Sequence, residues 1–178
     1  MNPSERLEFH SKRYLHEIDH REKIENRIRT PVPLLVIVAG LSDFLIKNTV
    51  LEKLFCFHWS LYFLLAVGAT AFAFSLFYFL RAIYGYHYQL IPTSETLEHY
   101  YNEILEQYQK VSPADARKWA NEEFQKYLMK SYIEYGTQNT KNNDSKSLNL
   151  NYCLGSLIVA FICSSLAYLP YYWNSVSS

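Results

Sequence analysis

Apolar and polar positions alternate along this chain in blocks rather than residue by residue. Residues 4–29 read as a polar helix in which Glu alternates with Arg and Lys. Ser4 reads as its N-cap, and Leu7, Tyr14, Ile18, Ile24 and Ile28 form a thin apolar stripe. Thr30-Pro31 restarts the chain, with Thr a good N-cap and Pro suited to the first helical position. The run PVPLLVIVAGLSDFLIKNTV then leads into a helix over 31–51, about 31 Å long at 1.5 Å per residue. That length matches a hydrocarbon core of roughly 30 Å. Residues 59–80, WSLYFLLAVGATAFAFSLFYFL, carry no charge and predict a second span. The short LEKLFCFH between them predicts an antiparallel hairpin.

The neck LRAIYGYHYQLIP follows, with Tyr84, Tyr86 and Tyr88 suited to a membrane–water interface. Ser94 opens a helix over 95–110, lined by Leu97, Tyr101, Ile104, Leu105 and Tyr108. SPADARKWANEEF predicts the next helix: Ser112 caps, Pro113 takes the first turn, and Asp115 completes a capping box. This helix is expected to end near Tyr135, closed by Gly136. TQNTKNNDSKS, residues 137–147, has no apolar residue to bury and is expected to be a flexible loop. LNLNYCLGSLIVAFICSSLAYLPYYW, residues 148–173, predicts a third span with Tyr168, Tyr171, Tyr172 and Trp173 as its interfacial belt.

Charge sharpens the picture, because the net charge of zero conceals its segregation. Residues 1–30 hold 7 Lys/Arg and 6 Asp/Glu, and residues 81–147 hold 8 and 9. Residues 54–80 and 147–178 hold none. Such a chain is built for two solvents. The expected organisation is all-α. A cytoplasmic N-terminal helix (1–30) precedes a two-span hairpin (31–80). A cytoplasmic αα-hairpin with a flexible linker (81–147) and a third transmembrane helix with a short outer tail (148–178) follow. The basic residues put the N-terminus and the αα-hairpin in the cytoplasm and the C-terminus outside. The N-terminus does not read as a signal peptide, since thirty mostly polar residues precede the first apolar run.

Catalysis finds little support. There is no G-x-S-x-G, Walker or H-E-x-x-H motif, only five glycines, and no zinc spacing among Cys56, Cys153 and Cys163. His16 and His20 are four apart, without a third metal ligand in view. No cofactor, metal or catalytic residue is expected.

Asp43 is the informative position. It falls about 18 Å into the first span, where an aspartate costs roughly 2.5–3.5 kcal/mol on insertion scales. Asp43, Lys47 and Asn48 are therefore candidate pore-lining residues, with Thr49 adding a polar group. The alternative is a short or tilted span that leaves Asp43 at the outer interface. Three spans cannot enclose a pore for hydrated ions, so a pore needs a symmetric homo-oligomer. Gly155, Ser156, Ala160 and Ser164, continued by Ala167, give the third span a small face for oligomer or helix packing. Gly68, Ala69, Ala71, Ala73 and Ser75 do the same in the second. Arg117, Lys118, Lys126 and Lys130 give the longer cytoplasmic helix a basic side, a candidate site for an anionic ligand, or else an ordinary solvated face.

A charged leading helix, a two-span hairpin, the neck LRAIYGYHYQLIP, a cytoplasmic helical pair and a last span with SLAYLPYYW make a layout that spans the chain. It resembles small multi-span membrane effectors of bacterial anti-phage defence, of the SLATT or Hailong type. That resemblance implies a channel or membrane-disrupting effector in the inner membrane. It also implies a nucleotide or oligonucleotide regulator made by a partner nucleotidyltransferase. A membrane-anchored adaptor, whose hairpin recruits a protein, is the competing expectation.

Overall fold

In the computed structural model the backbone is described for residues 2–51 and 59–177, and side chains for 2–47, 62–169 and 172. The side chains of Asn48, Thr49, Tyr171 and Trp173, and the stretch with Lys53 and Cys56, lie outside the described residues. The protein is all-α, 89% helical, with no strand among the described residues. Its helices are α1 (Pro3–Ile28), α2 (Pro31–Leu51), α3 (Trp59–Ile83), α4 (Ser94–Val111) and α5 (Ala116–Ser177). Three helical stretches, within α2, α3 and α5, are long and apolar enough to cross a membrane. The chain divides into two compact units, residues 1–22 with 86–143 and residues 23–85 with 144–178.

Local chemistry explains most helix ends. Asn2, not Ser4, caps α1: its Oδ1 accepts from Glu5 N at 2.8 Å, and Glu5 Oε2 accepts from Asn2 N at 2.9 Å. This is a reciprocal capping box with Pro3 at the first helical position. Pro31 opens α2 as expected. Gly85, at φ 91°, follows α3 in a conformation that favours glycine. Thr93 caps α4 one residue before the expected Ser94, accepting from Thr96 N. Ser112 proves to be the C-cap of α4, and Pro113 lies in a tight turn closed by Asp115 N–H donating to Ser112 O. The next helix therefore starts at Ala116 rather than Pro113.

The first unit packs α1, α4 and the start of α5. Tyr100 lies 4.6 Å from Tyr127 and Tyr101 lies 5.5 Å from Phe124, centroid to centroid, while Tyr108 meets Trp119 edge-on. These rings hold α4 and α5 as the expected antiparallel pair. Burial, and then Glu123 nearby, pushes the Tyr100 phenol pKa up.

The largest departure from expectation is residues 137–147, which are helical throughout. Gly136 does not end the helix. It is buried within it, beside Tyr14 of α1, where an added Cβ would make an ordinary contact at 3.9 Å. Asn139, Asn143, Lys146, Leu150, Cys153, Leu157, Ala160, Ser164 and Ala167 are all buried, alternately four and three residues apart. This is a heptad seam of 3.5 residues per repeat. A tract that reads as a tether by composition continues the seam with polar members.

In the first unit those members have partners. Asn139 accepts from Gln89 N and donates to Gln89 O, both at 2.9 Å. Asn142 donates to His87 O at 2.7 Å, and Asn143 accepts from the Tyr88 hydroxyl at 2.9 Å. The extended segment 86–92 thus receives from α5 the bonds it would find in a sheet. Tyr14 Oη accepts from Ile91 N, and the Arg21 guanidinium lies 4.4 Å from the centre of the Tyr88 ring.

Asp144 lies exposed in the middle of this stretch. Asp144→Pro should destabilise the protein by about 3 kcal/mol or more, through a lost helical hydrogen bond and a ring clash. Thermal unfolding in detergent checks this; a flexible loop would accept proline with little change in midpoint.

Candidate functional site: the three-helix unit

The second unit is layered. Ile24, Ala82 and Leu150 form one buried layer with Ile28 against it. Leu35, Val38, Leu157 and Ala160 form the next, with Ala71, Phe72 and Phe79. Leu45 and Ala167 form the last, with Leu41, Leu64 and Leu65. As numbers rise along α2 and α5 they fall along α3, so α3 runs antiparallel to both, as expected for the hairpin.

Small residues make the close contacts between the layers. Ser75 Oγ donates to Cys153 O at 3.1 Å, and Ser42 Oγ lies 3.3 Å from Ser164 Oγ. A Cβ on Gly68 would stand 3.3 Å from Cys163 Cβ, tighter than an ordinary contact. Ala160 and Ser164 are therefore packing residues within one chain, facing α2 and α3. Gly155 is different: it is exposed, with nothing near an added Cβ, and Ser156 beside it is half-buried. Ala69 and Ala73 also face outward, in a shallow hollow with Thr70, Phe74 and Phe77.

Toward one end of this unit, Lys146 is 7% exposed and its Nζ lies 3.8 Å from Glu25 Oε1. Arg27 donates to Asn151 Oδ1 at 3.2 Å. No buried side-chain nitrogen or oxygen among the described residues lacks a hydrogen-bond partner.

Large apolar side chains cover much of the outer surface of α2, α3 and the later part of α5. Val36 is 67% exposed and Phe63 68%, and Ile37, Phe74, Phe77, Ile158 and Leu169 are more than half exposed. Apolar side chains over so much of a surface mark contact with lipid or with another protein. Asp43 and Lys47 interrupt this face. They form an ion pair at 2.7 Å, four residues apart on α2, with side chains 62% and 65% exposed. Neither turns into the three-helix core. Phe44 and Ile46 flank them, also exposed. Asn48, grouped with them by sequence, has a side chain outside the described residues.

The basic side expected on the first unit disperses. Arg117, Lys118, Lys126 and Lys130 are all exposed. At about 100° per residue, however, Lys126 lies about 180° round the helix from Arg117. Lys126 and Lys130 share a side, and Lys126 also lies 4.0 Å from Glu123. His16 and His20 have ring centroids 6.3 Å apart, and no group of three or more His, Cys, Asp or Glu among the described residues could hold a metal ion.

Sequence reading missed the buried asparagines. For Asn139 and Asn143 the signal was the four-three spacing that runs from them into the apolar run, masked by their polarity.

Gly68 and Gly155 separate the inner face from the outer. Gly68→Leu should lower thermal stability by about 1–3 kcal/mol through overpacking. Gly155→Ala should be neutral or raise stability by up to about 1 kcal/mol, because alanine is the better helix former. Melting of the two variants in one detergent makes the comparison. Neither a family model, nor a curated protein, nor a solved structure matches this chain.

Proposed function

We propose that this chain is an oligomeric inner-membrane ion channel, a membrane-depolarising effector of bacterial anti-phage defence. The observation that carries the reading is the Asp43–Lys47 pair, exposed on the outer face of a three-helix unit in which no other described residue from 31 to 80 is charged. Charged groups at membrane depth face protein or water rather than lipid. Further copies around an axis, with α2 turned inward, cover the pair and give it an aqueous lining. Asp43, Lys47 and Asn48 then line the pore, and Gly155 and Ser156 face a neighbouring helix.

In this reading residues 1–30 and 81–147 lie in the cytoplasm, where basic residues concentrate, and the C-terminus lies outside. The cytoplasmic helices receive a nucleotide or oligonucleotide made by a partner nucleotidyltransferase. The protein is not an enzyme. α5 supplies residues to both units, so a signal on its cytoplasmic part acts on a helix that also builds the pore.

A second reading, a membrane-anchored adaptor, draws on the exposed apolar side chains Leu90 and Val111 of the first unit. There the spans serve as an anchor. Exchanging them for an unrelated anchor would preserve an adaptor's activity and abolish a channel's.

Purified protein in liposomes should carry an ion flux, and Asp43→Asn should change conductance or selectivity. Identical currents from the variant would remove Asp43 from the pore. Absence of flux with every nucleotide tried, together with a monomeric mass in detergent, would defeat the channel reading.

A further inference from the structure

α1 and α5 of the first unit enclose a groove of about 400 Å³. Phe9, His10 and Arg13 line it from α1, and Tyr132, Thr137 and Lys141 from α5. Its volume lies within the range of roughly 300–1,000 Å³ usual for small-molecule sites. None of its described lining residues is acidic.

Arg13 and Lys141 are exposed, and neither makes an ion pair or a hydrogen bond with any described residue. Two cations therefore face one groove from two helices, with no carboxylate in its lining. Glu17, one turn after Arg13, is buried and accepts from Asn143 Nδ2 at 3.1 Å. Glu134 opens on a neighbouring hollow that Lys141 also lines, and Glu17 shares another with Arg13; neither carboxylate lines this groove. Phe9 stands half exposed, its ring 5.3 Å from that of His10. Tyr132 leans on Tyr14 at 5.6 Å, which fixes one side of its ring.

We propose that this groove binds a phosphate-bearing ligand with a flat ring, of about nucleotide size. A guanidinium fork and an ammonium suit phosphate oxygens, the Thr137 hydroxyl can donate to them, and Phe9, His10 and Tyr132 offer ring faces. The groove is distinct from the dispersed residues Arg117, Lys118, Lys126 and Lys130. The inference deepens the sensing role proposed above and rests on it for its consequence alone, since binding is read without flux.

The test is equilibrium dialysis of the full chain in detergent against adenosine monophosphate, adenosine and inorganic phosphate. Saturable binding of the monophosphate is expected, with adenosine and phosphate each at least about tenfold weaker. Arg13→Gln and Lys141→Gln should each lower affinity about tenfold, and Lys110→Gln, at an exposed lysine paired with Glu106, should leave it unchanged. Both substituted side chains are exposed, and unchanged circular dichroism confirms that the variants fold.

No saturable binding of the monophosphate, or undiminished binding by the double variant, overturns the site. Adenosine binding as tightly as its monophosphate removes the phosphate. Phosphatidylglycerol micelles that displace the monophosphate at equal phosphate concentration remove the ring and assign the groove to a lipid headgroup. Binding together with absent flux and a monomeric mass would sink the channel and leave the site standing; flux without binding would do the reverse.

Discussion

A buried asparagine is tolerable only when its amide finds both a donor and an acceptor, and Asn139 finds both on Gln89. An unmatched buried amide costs about 1–3 kcal/mol, which explains why the pairing is complete rather than approximate. The same condition recurs at Asn142 and Asn143, and together these residues hold segment 86–92 in place. Without them the extended backbone would need water or a neighbouring strand, and no strand occurs among the described residues. Their spacing on α5 is therefore a structural requirement, and it makes a polar tract helical.

The seam changes chemistry along its length without changing its period. Asn139 and Asn143 meet backbone and tyrosine in one unit; Leu150, Leu157 and Ala160 meet aliphatic side chains in the other. Lys146 lies between them in sequence, nearly buried and close to Glu25. In the three-helix unit Ser75, Ser164 and Gly68 turn inward while Val36, Phe63 and Ile158 turn outward. Water would reverse that preference, because it solvates hydroxyls and expels large apolar groups. The outward Asp43–Lys47 pair is the exception, and it requires water or another polar surface beside it rather than lipid.

Much of the organisation was legible along the chain. Thr30-Pro31 marked the start of α2, and the charge-free run beginning at Trp59 marked α3. Apolar length alone separated these stretches from the charged ones. Short-range capping was less legible: Asn2 and Thr93 took the roles expected of Ser4 and Ser94, and Ser112 closed a helix instead of opening one. Ser, Thr and Asn compete for such positions with similar energies, so a neighbour one or two residues away can win.

Read alone, the sequence determined which stretches prefer lipid and which prefer water, since that choice depends on the hydropathy of consecutive residues. Tertiary structure decided the state of 137–147, because an asparagine is helical or not according to whether a distant backbone, here residues 87–89, answers its amide. It also decided that Ala160 and Ser164 pack inward while Gly155 looks outward. Those outcomes depend on the direction of each side chain relative to its neighbours, and direction is set by packing.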